Sequence, residues 1–160
     1  MKKPSQKRAK ELATVLHSRI IRARTPHCQA ASTGVLTTPC TSGGATTPLQ
    51  CAHIISRKYA VTRTTLFNGW TVCAGHHKVI DTNPDIWLEL VLETCGLPVV
   101  RGLRAAVRDA SENGMGVSSL MFWRSELDRL YTIALAEGVK VTDLPHWLAT
   151  NHQEKAVTTS

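Results

Sequence analysis

The sequence predicts an α+β chain centred on two short strands and a short helix, with a basic helix before them and longer helices after. Three observations predict it. Apolar residues recur at helical spacing among lysines and arginines over residues 6–24; short apolar runs fall at 49–54 and 70–73; and apolar spacings of three and four residues return from 84 onward. A chain of 160 residues suits one compact unit with mobile ends. Its expected parts are a basic N-terminal helix (1–24), a core (25–83), helical support (84–138) and a partly disordered tail (139–160).

Within the first helix, Leu12, Val15, Leu16, Arg19 and Ile20 share a stripe, and Thr25-Pro26 ends it, because proline disfavours helical backbone in the residue before it. Residues 32–48, rich in Thr, Gly and Pro, lack an apolar period and predict a surface loop. The runs 49–54 and 70–73 predict a hairpin with a long connection. A short helix from Gly75 stops before Asn83-Pro84, which then supply the cap and first position of the next helix, ending near Gly96. A further helix is expected from Pro98 to Ala110. The last, carrying Leu120, Trp123, Leu127, Leu130 and Ala134, follows a Ser118/Ser119 cap and stops at Gly138.

Charge is divided unevenly. Residues 1–80 hold twelve lysines and arginines against one acid, Glu11, and residues 81–160 hold seven against eleven, so the halves carry +11 and −4 within the total of +7. A strongly basic half points to a polyanionic partner, nucleic acid first and an anionic membrane surface second, since cations that neutralise phosphates release condensed counterions. No run approaches the roughly 18–20 apolar residues of a membrane span, and Lys7, Arg8, Lys10 and Glu11 break up any secretory segment. The expected compartment is therefore a cytosol. There the five cysteines stay reduced, and their odd number argues against a complete disulfide framework.

Metal ligation is the better reason for some of those cysteines. Cys73-Ala74-Gly75-His76 is a Cys-x2-His pair, and Cys28 with Cys40 would complete a tetrahedral Cys3His zinc site, with the threonine-rich segment looping out between them. Eleven residues intervene between Cys28 and Cys40, against the common two to four, and Cys51 or His27 is the alternative for one of them. Cys51 and Cys95 otherwise belong to the core. Interleaved with this set are His53, Asn68, His77 and Asp81. A neutral imidazole at His53 is suited to taking a proton from water near pH 7. His77 and Asp81, four residues apart on a helix, share a face and can hold a divalent cation. Asn68 either completes that cation's shell or locks the connection by bonding its backbone. Singly, each has an ordinary explanation: a strand histidine, a turn before Gly69, a solvated helix residue. Their joint order, with the Cys-x2-His pair abutting His77, is what makes them a set.

The stretch Leu49-Gln50-Cys51-Ala52-His53-Ile54-Ile55-Ser56-Arg57, with Arg63, Asn68-Gly69 and Cys73-Ala74-Gly75-His76-His77, resembles the core of the HNH (His-Me finger) endonucleases in their small bacteriophage form, over about thirty residues. The resemblance implies a ββα-metal core with a structural zinc site. It also implies His53 as general base, Asn68 as supporting residue, and His77 as ligand of a catalytic Mg2+, Mn2+ or Ni2+, with Asp81 in a second-ligand position. Zinc knuckles of that family usually place Cys where His76 stands, and several relatives place Asp or His where Ala52 stands. The implied reaction is hydrolysis of DNA phosphodiesters, nicking or cutting a duplex in a phage-infected host's cytoplasm. Arg57, Arg63 and Lys78 are candidates to clamp neighbouring phosphates, and Lys7, Arg8, Lys10, Arg19, Arg22 and Arg24 of the first helix to track the backbone farther along. The family also suggests an association with a phage terminase in DNA packaging. A zinc-stabilised DNA-binding module without catalysis is the competing class.

Overall fold

The computed structural model describes residues 4–41, 48–113, 119–145 and 148. Helix α1 (Gln6–Arg24) is followed by a 3-10 turn (Gln29–Ser32), strand β1 (Gln50–His53), the short helix α2 (Ala60–Arg63), a second 3-10 turn (Leu66–Asn68) and strand β2 (Gly69–Val72). Helices α3 (Ala74–Thr82), α4 (Pro84–Glu112) and α5 (Leu120–Ala136) complete the order. The chain is thus α+β, with a strand–strand–helix succession at its centre. Two compact units divide it, Met1–Ile20 with Ser118–Ser160 and Ile21–Val117. Among the described residues, no helix is long and apolar enough to cross a membrane.

In the second unit the strands form an antiparallel pair in which Gln50 faces Val72, Cys51 faces Thr71, Ala52 faces Trp70 and His53 faces Gly69. Because side chains alternate across a strand, Ala52 turns into the core while Cys51 and His53 are only partly buried. Ala52, Trp70, Val72, Cys73, Ile80 and Leu90 build one apolar cluster, against which Leu49, Ile86, Trp87 and Cys95 pack. The Trp70 and Trp87 rings meet at 5.3 Å between centroids, tilted by 56°. Cys95 is therefore a core residue, as its position suggested. Cys51 lies instead on the lining of an open cleft.

One capping detail differs from expectation and one helix break agrees with it. Asn83 precedes Pro84 at the start of α4, but its side chain makes no cap; its amide turns back to donate to the Val79 carbonyl and Thr82 Oγ1, both at 3.0 Å, closing the end of α3. Helices lie on either side of Gly96, as expected; they abut at a kink and are counted together as α4. Gly96 takes φ 76° and ψ 162°, conformational space that a residue with a Cβ rarely enters, and Pro98 restarts the helix beyond it.

The first unit is made of helical stripes. Ala9, Leu12, Ala13 and Leu16 on α1 and Trp123, Leu127, Leu130, Tyr131 and Ala134 on α5 are all buried. Ser119 Oγ accepts from the Phe122 amide at 3.0 Å to cap α5; Ser118, the alternative cap, lies outside the described residues. Gly138, at φ 65°, ends the helix, with the Val139 amide reaching the Ala134 carbonyl at 2.8 Å. The first part of the expected tail is tied down, since Arg19 grips Asp143 through two bonds of 2.7 and 2.6 Å and the Lys140 carbonyl at 3.0 Å. Residues 146, 147 and 149–160 of that tail lie outside the described residues. Three cations expected to track DNA from α1 are engaged internally: Arg19 with Asp143, Arg8 with Glu11, and Lys10 against the Trp123 ring.

Candidate functional site

Two sites, both in the second unit, are built on α3. Its N-terminus is made by Cys73, whose sulfur accepts from the His76 amide at 3.4 Å and so caps the helix while facing inward. One turn of helix then brings His76 beside Cys73, and the loops before β1 bring the other two sulfurs. The donor atoms of Cys28, Cys40, Cys73 and His76 all lie within 4.8 Å of one another. A tetrahedral site with zinc–sulfur bonds near 2.3 Å asks for sulfurs roughly 3.8 Å apart, so the four are spaced to close on one ion. The long interval between Cys28 and Cys40 is spanned by the 3-10 turn and the loop after it. The alternatives fall away: His27 is exposed, and Cys51 lines the cleft on the other side.

Secondary contacts orient this set. His76 donates from Nε2 to the Thr38 carbonyl at 2.8 Å, which fixes its tautomer and leaves Nδ1, 3.1 Å from Cys28 Sγ, as the ligating nitrogen. The Cys73 amide donates to Cys28 Sγ at 3.3 Å. Burial pushes the Cys28 thiol up to about 11. Burial also raises Cys73, but hydrogen bonds from Thr41, the His76 amide and Cys28 outweigh it and bring that thiol down to about 6. Of the pair, Cys73 is the sulfur whose hydrogen bonds favour the thiolate, the form that binds metals. Gly75 lets the Thr41 loop lie close, because a Cβ there would stand 3.1 Å from Thr41 Cγ2. This cluster can hold a metal ion.

The second site is an open cleft of about 460 Å³, and His53, Arg57, His77 and Asp81 are all on its lining. His53, the last residue of β1, donates from Nε2 to the Arg63 carbonyl at 3.0 Å; a carbonyl only accepts, so the basic nitrogen of the neutral ring is Nδ1. His77 is oriented in the opposite sense. Its Nδ1 donates to Gln50 Oε1, which leaves Nε2 as the lone-pair nitrogen, 3.8 Å from Asp81 Oδ1. Both histidines therefore have their tautomers set by oxygen acceptors, one from the backbone and one from the neighbouring strand.

Asn68 does not line the cleft. It is fully buried, and its side chain is spent on the backbone: Oδ1 accepts from the Ile55 amide at 2.6 Å, and Nδ2 donates to the carbonyls of Ile55 and Thr62 at 3.0 and 2.9 Å. Of its two expected roles it fills the loop-locking one, because an amide with those three bonds has no geometry left for an ion in the cleft. Arg63 donates to the Arg57 carbonyl, so it braces the segment that carries Arg57. Burial, then the charge of Arg57, lower the Arg63 pKa. Lys78 is exposed on α3 and absent from the cleft's lining. The residue that sequence reasoning missed is Gln50. Its only signal was a polar side chain opening an otherwise apolar strand, and nothing local connects it to His77 twenty-seven positions on.

No family model, curated protein or solved structure matches this chain.

Proposed function

We propose that this chain is a zinc-braced, divalent-cation-dependent endonuclease of the HNH type, hydrolysing phosphodiester bonds of double-stranded DNA. The observation that carries the reading is the shared cleft: an imidazole with its basic nitrogen set at Nδ1, and a histidine–carboxylate pair four residues apart, line the same opening. His53 takes the proton from the attacking water, and its Nε2–H bond to Arg63 grows stronger as the ring gains charge. His77 and Asp81 are the residues to hold the cation, whose chemistry is to stabilise charge on the phosphate and the departing 3′-oxygen. Arg57, on the same lining, offers a guanidinium to a neighbouring phosphate. The thiolate-rich set of Cys28, Cys40, Cys73 and His76 favours zinc, whereas the nitrogen and carboxylate donors of the cleft suit Mg2+, Mn2+ or Ni2+.

A plasmid-nicking assay across those three cations tests the reading. Wild-type protein is expected to relax supercoiled DNA, and His53→Ala to lose about 10²- to 10⁴-fold in rate, the usual worth of a general base, with its melting curve and zinc content intact. Supercoiled plasmid left whole under all three cations sinks the proposal and leaves a zinc-stabilised DNA-binding module. A phage terminase is the partner to test for stimulation of the same reaction.

A further inference from the structure

Beside the cleft, and separate from it, lies a second pocket of about 460 Å³ where residues 58–61 meet the C-terminal part of α4. Its polar lining is Lys58, Tyr59, Arg104, Arg108, Ser111 and Glu112. Three cations thus face one carboxylate. Arg104 and Arg108 are one helical turn apart, and Arg101 stands three residues before Arg104, so α4 presents a row of like charges along one face. Such a row costs a helix stability unless something neutralises it. Among the described residues none of these three arginines has an ion-pair or hydrogen-bond partner, and all are exposed. Lys58 stands with Nζ 4.8 Å from the centre of the Tyr59 ring, which is 37 % exposed. Cations around an accessible aromatic face are the combination that seats a nucleotide backbone and its base or sugar.

Position in the chain ties this pocket to the cleft. Arg57 lines the cleft and Lys58, the next residue, lines the pocket, so the two openings share one stretch of backbone at their edge. Arg104 and Arg108 are separated by roughly 6 Å along the helix axis, a spacing that long guanidinium arms extend to successive phosphates of a strand. We infer that this pocket anchors the DNA backbone beside the cut, holding phosphates of the flanking nucleotides and not the scissile one. The inference rests on the nuclease reading for its register with the cut, and on the pocket's own chemistry for its ligand.

The test uses the full-length chain. Anisotropy titrations of a labelled duplex, run at several salt concentrations in the His53→Ala background, compare that protein with the same chain carrying Arg104→Ala and Arg108→Ala, and separately with Lys58→Ala. Loss of two phosphate contacts is expected to reduce the slope of log affinity against log salt by about 1.8 and to weaken binding about tenfold or more at moderate salt, with Lys58→Ala giving a smaller change of the same kind. With His53 intact, the Arg104→Ala/Arg108→Ala protein is expected to hydrolyse bis(p-nitrophenyl) phosphate at the wild-type rate while its KM for DNA rises. Unchanged affinity and salt slope overturn the anchoring role, as does loss of hydrolysis of the small diester, which would make the arginines supports of the cleft. If the wild-type chain hydrolyses neither substrate, the nuclease reading fails, and the affinity and salt slope alone still decide whether this pocket holds DNA.

Discussion

His76 and His77 are neighbours on α3, yet they belong to two kinds of environment. His76 is 1 % exposed and closes a set of protein donors, whereas the side chain of His77 keeps 26 % exposure beside a carboxylate that is 69 % exposed. Successive residues on a helix point roughly 100° apart, so a single short helix serves a closed site on one face and an open one on the next. Structural metal sites spend every coordination position on protein, and catalytic ones keep positions for water and substrate. The two histidines differ in burial in the sense the proposed roles require, and that difference makes their responses to perturbation separable.

The largest expected effect is on the closed site. Stripping the metal with a strong chelator, or substituting Cys73→Ala, should abolish the cooperative melting of the second unit, since structural zinc sites in small domains contribute on the order of 10 kcal/mol of apparent binding free energy to folding; thermal unfolding followed by circular dichroism, with metal content measured in parallel, checks it. A chelated protein that melts as before would erase the distinction between the two sites. Asn68→Ala comes next. It leaves the Ile55 amide and the carbonyls of Ile55 and Thr62 without their partner, and at about 1–3 kcal/mol for a buried group left unsatisfied we expect a loss of about 3 kcal/mol in urea unfolding.

Gln50→Ala sharpens the comparison from the open side. It removes the acceptor that orients His77, and second-layer partners of this kind are worth about 10- to 100-fold in metal affinity. Titration with Mg2+, Mn2+ or Ni2+ should show that weakening at the proposed cleft site while zinc content stays constant; equal loss at both sites would show that Gln50 braces the sheet and not His77. The smallest effect belongs to the first unit, which carries neither site. Its Arg19–Asp143 pair, led by the hydrogen bond to Arg19, holds the Asp143 carboxyl down at about 2 from an ordinary 3.8. A depressed folded-state pKa contributes stability that is present above the unfolded value and is lost as pH falls from about 3.8 through about 2. Asp143→Asn should therefore lower the urea midpoint slightly at neutral pH and match the wild type at the acid end of that window.

Much of the local structure was legible in the residues. The apolar stripe with its flanking cations marked α1 to within its observed ends, Gly138 marked the close of α5, and the runs around Cys51 and Thr71 marked the strands. Each rests on interactions between residues a few positions apart, which sequence spacing records directly. Asn83 shows where that record stops: the residue type suits a cap, but its amide found nearer partners in the turn it had just left. Arg19 and Arg63 show the same limit. As isolated cations they looked available for phosphate, and only the folded chain shows one held by Asp143 and the other bracing Arg57.

By itself, the sequence determined the element types, the basic bias of the first half and the chemical inventory: three cysteines and a histidine of one kind, two histidines and an aspartate of another. Which donors meet was decided by tertiary structure. The long excursion between Cys28 and Cys40 has no sequence-local constraint, and only packing of the loop against α3 draws the two sulfurs to within reach of Cys73 and His76. Likewise the tautomers of His53 and His77 are set by Arg63 and Gln50, ten and twenty-seven residues away. The physical reason is common to both cases: a hydrogen bond or a coordination bond acts over about 3 Å in space, and in a chain that turns back on itself that distance carries no memory of separation along the sequence.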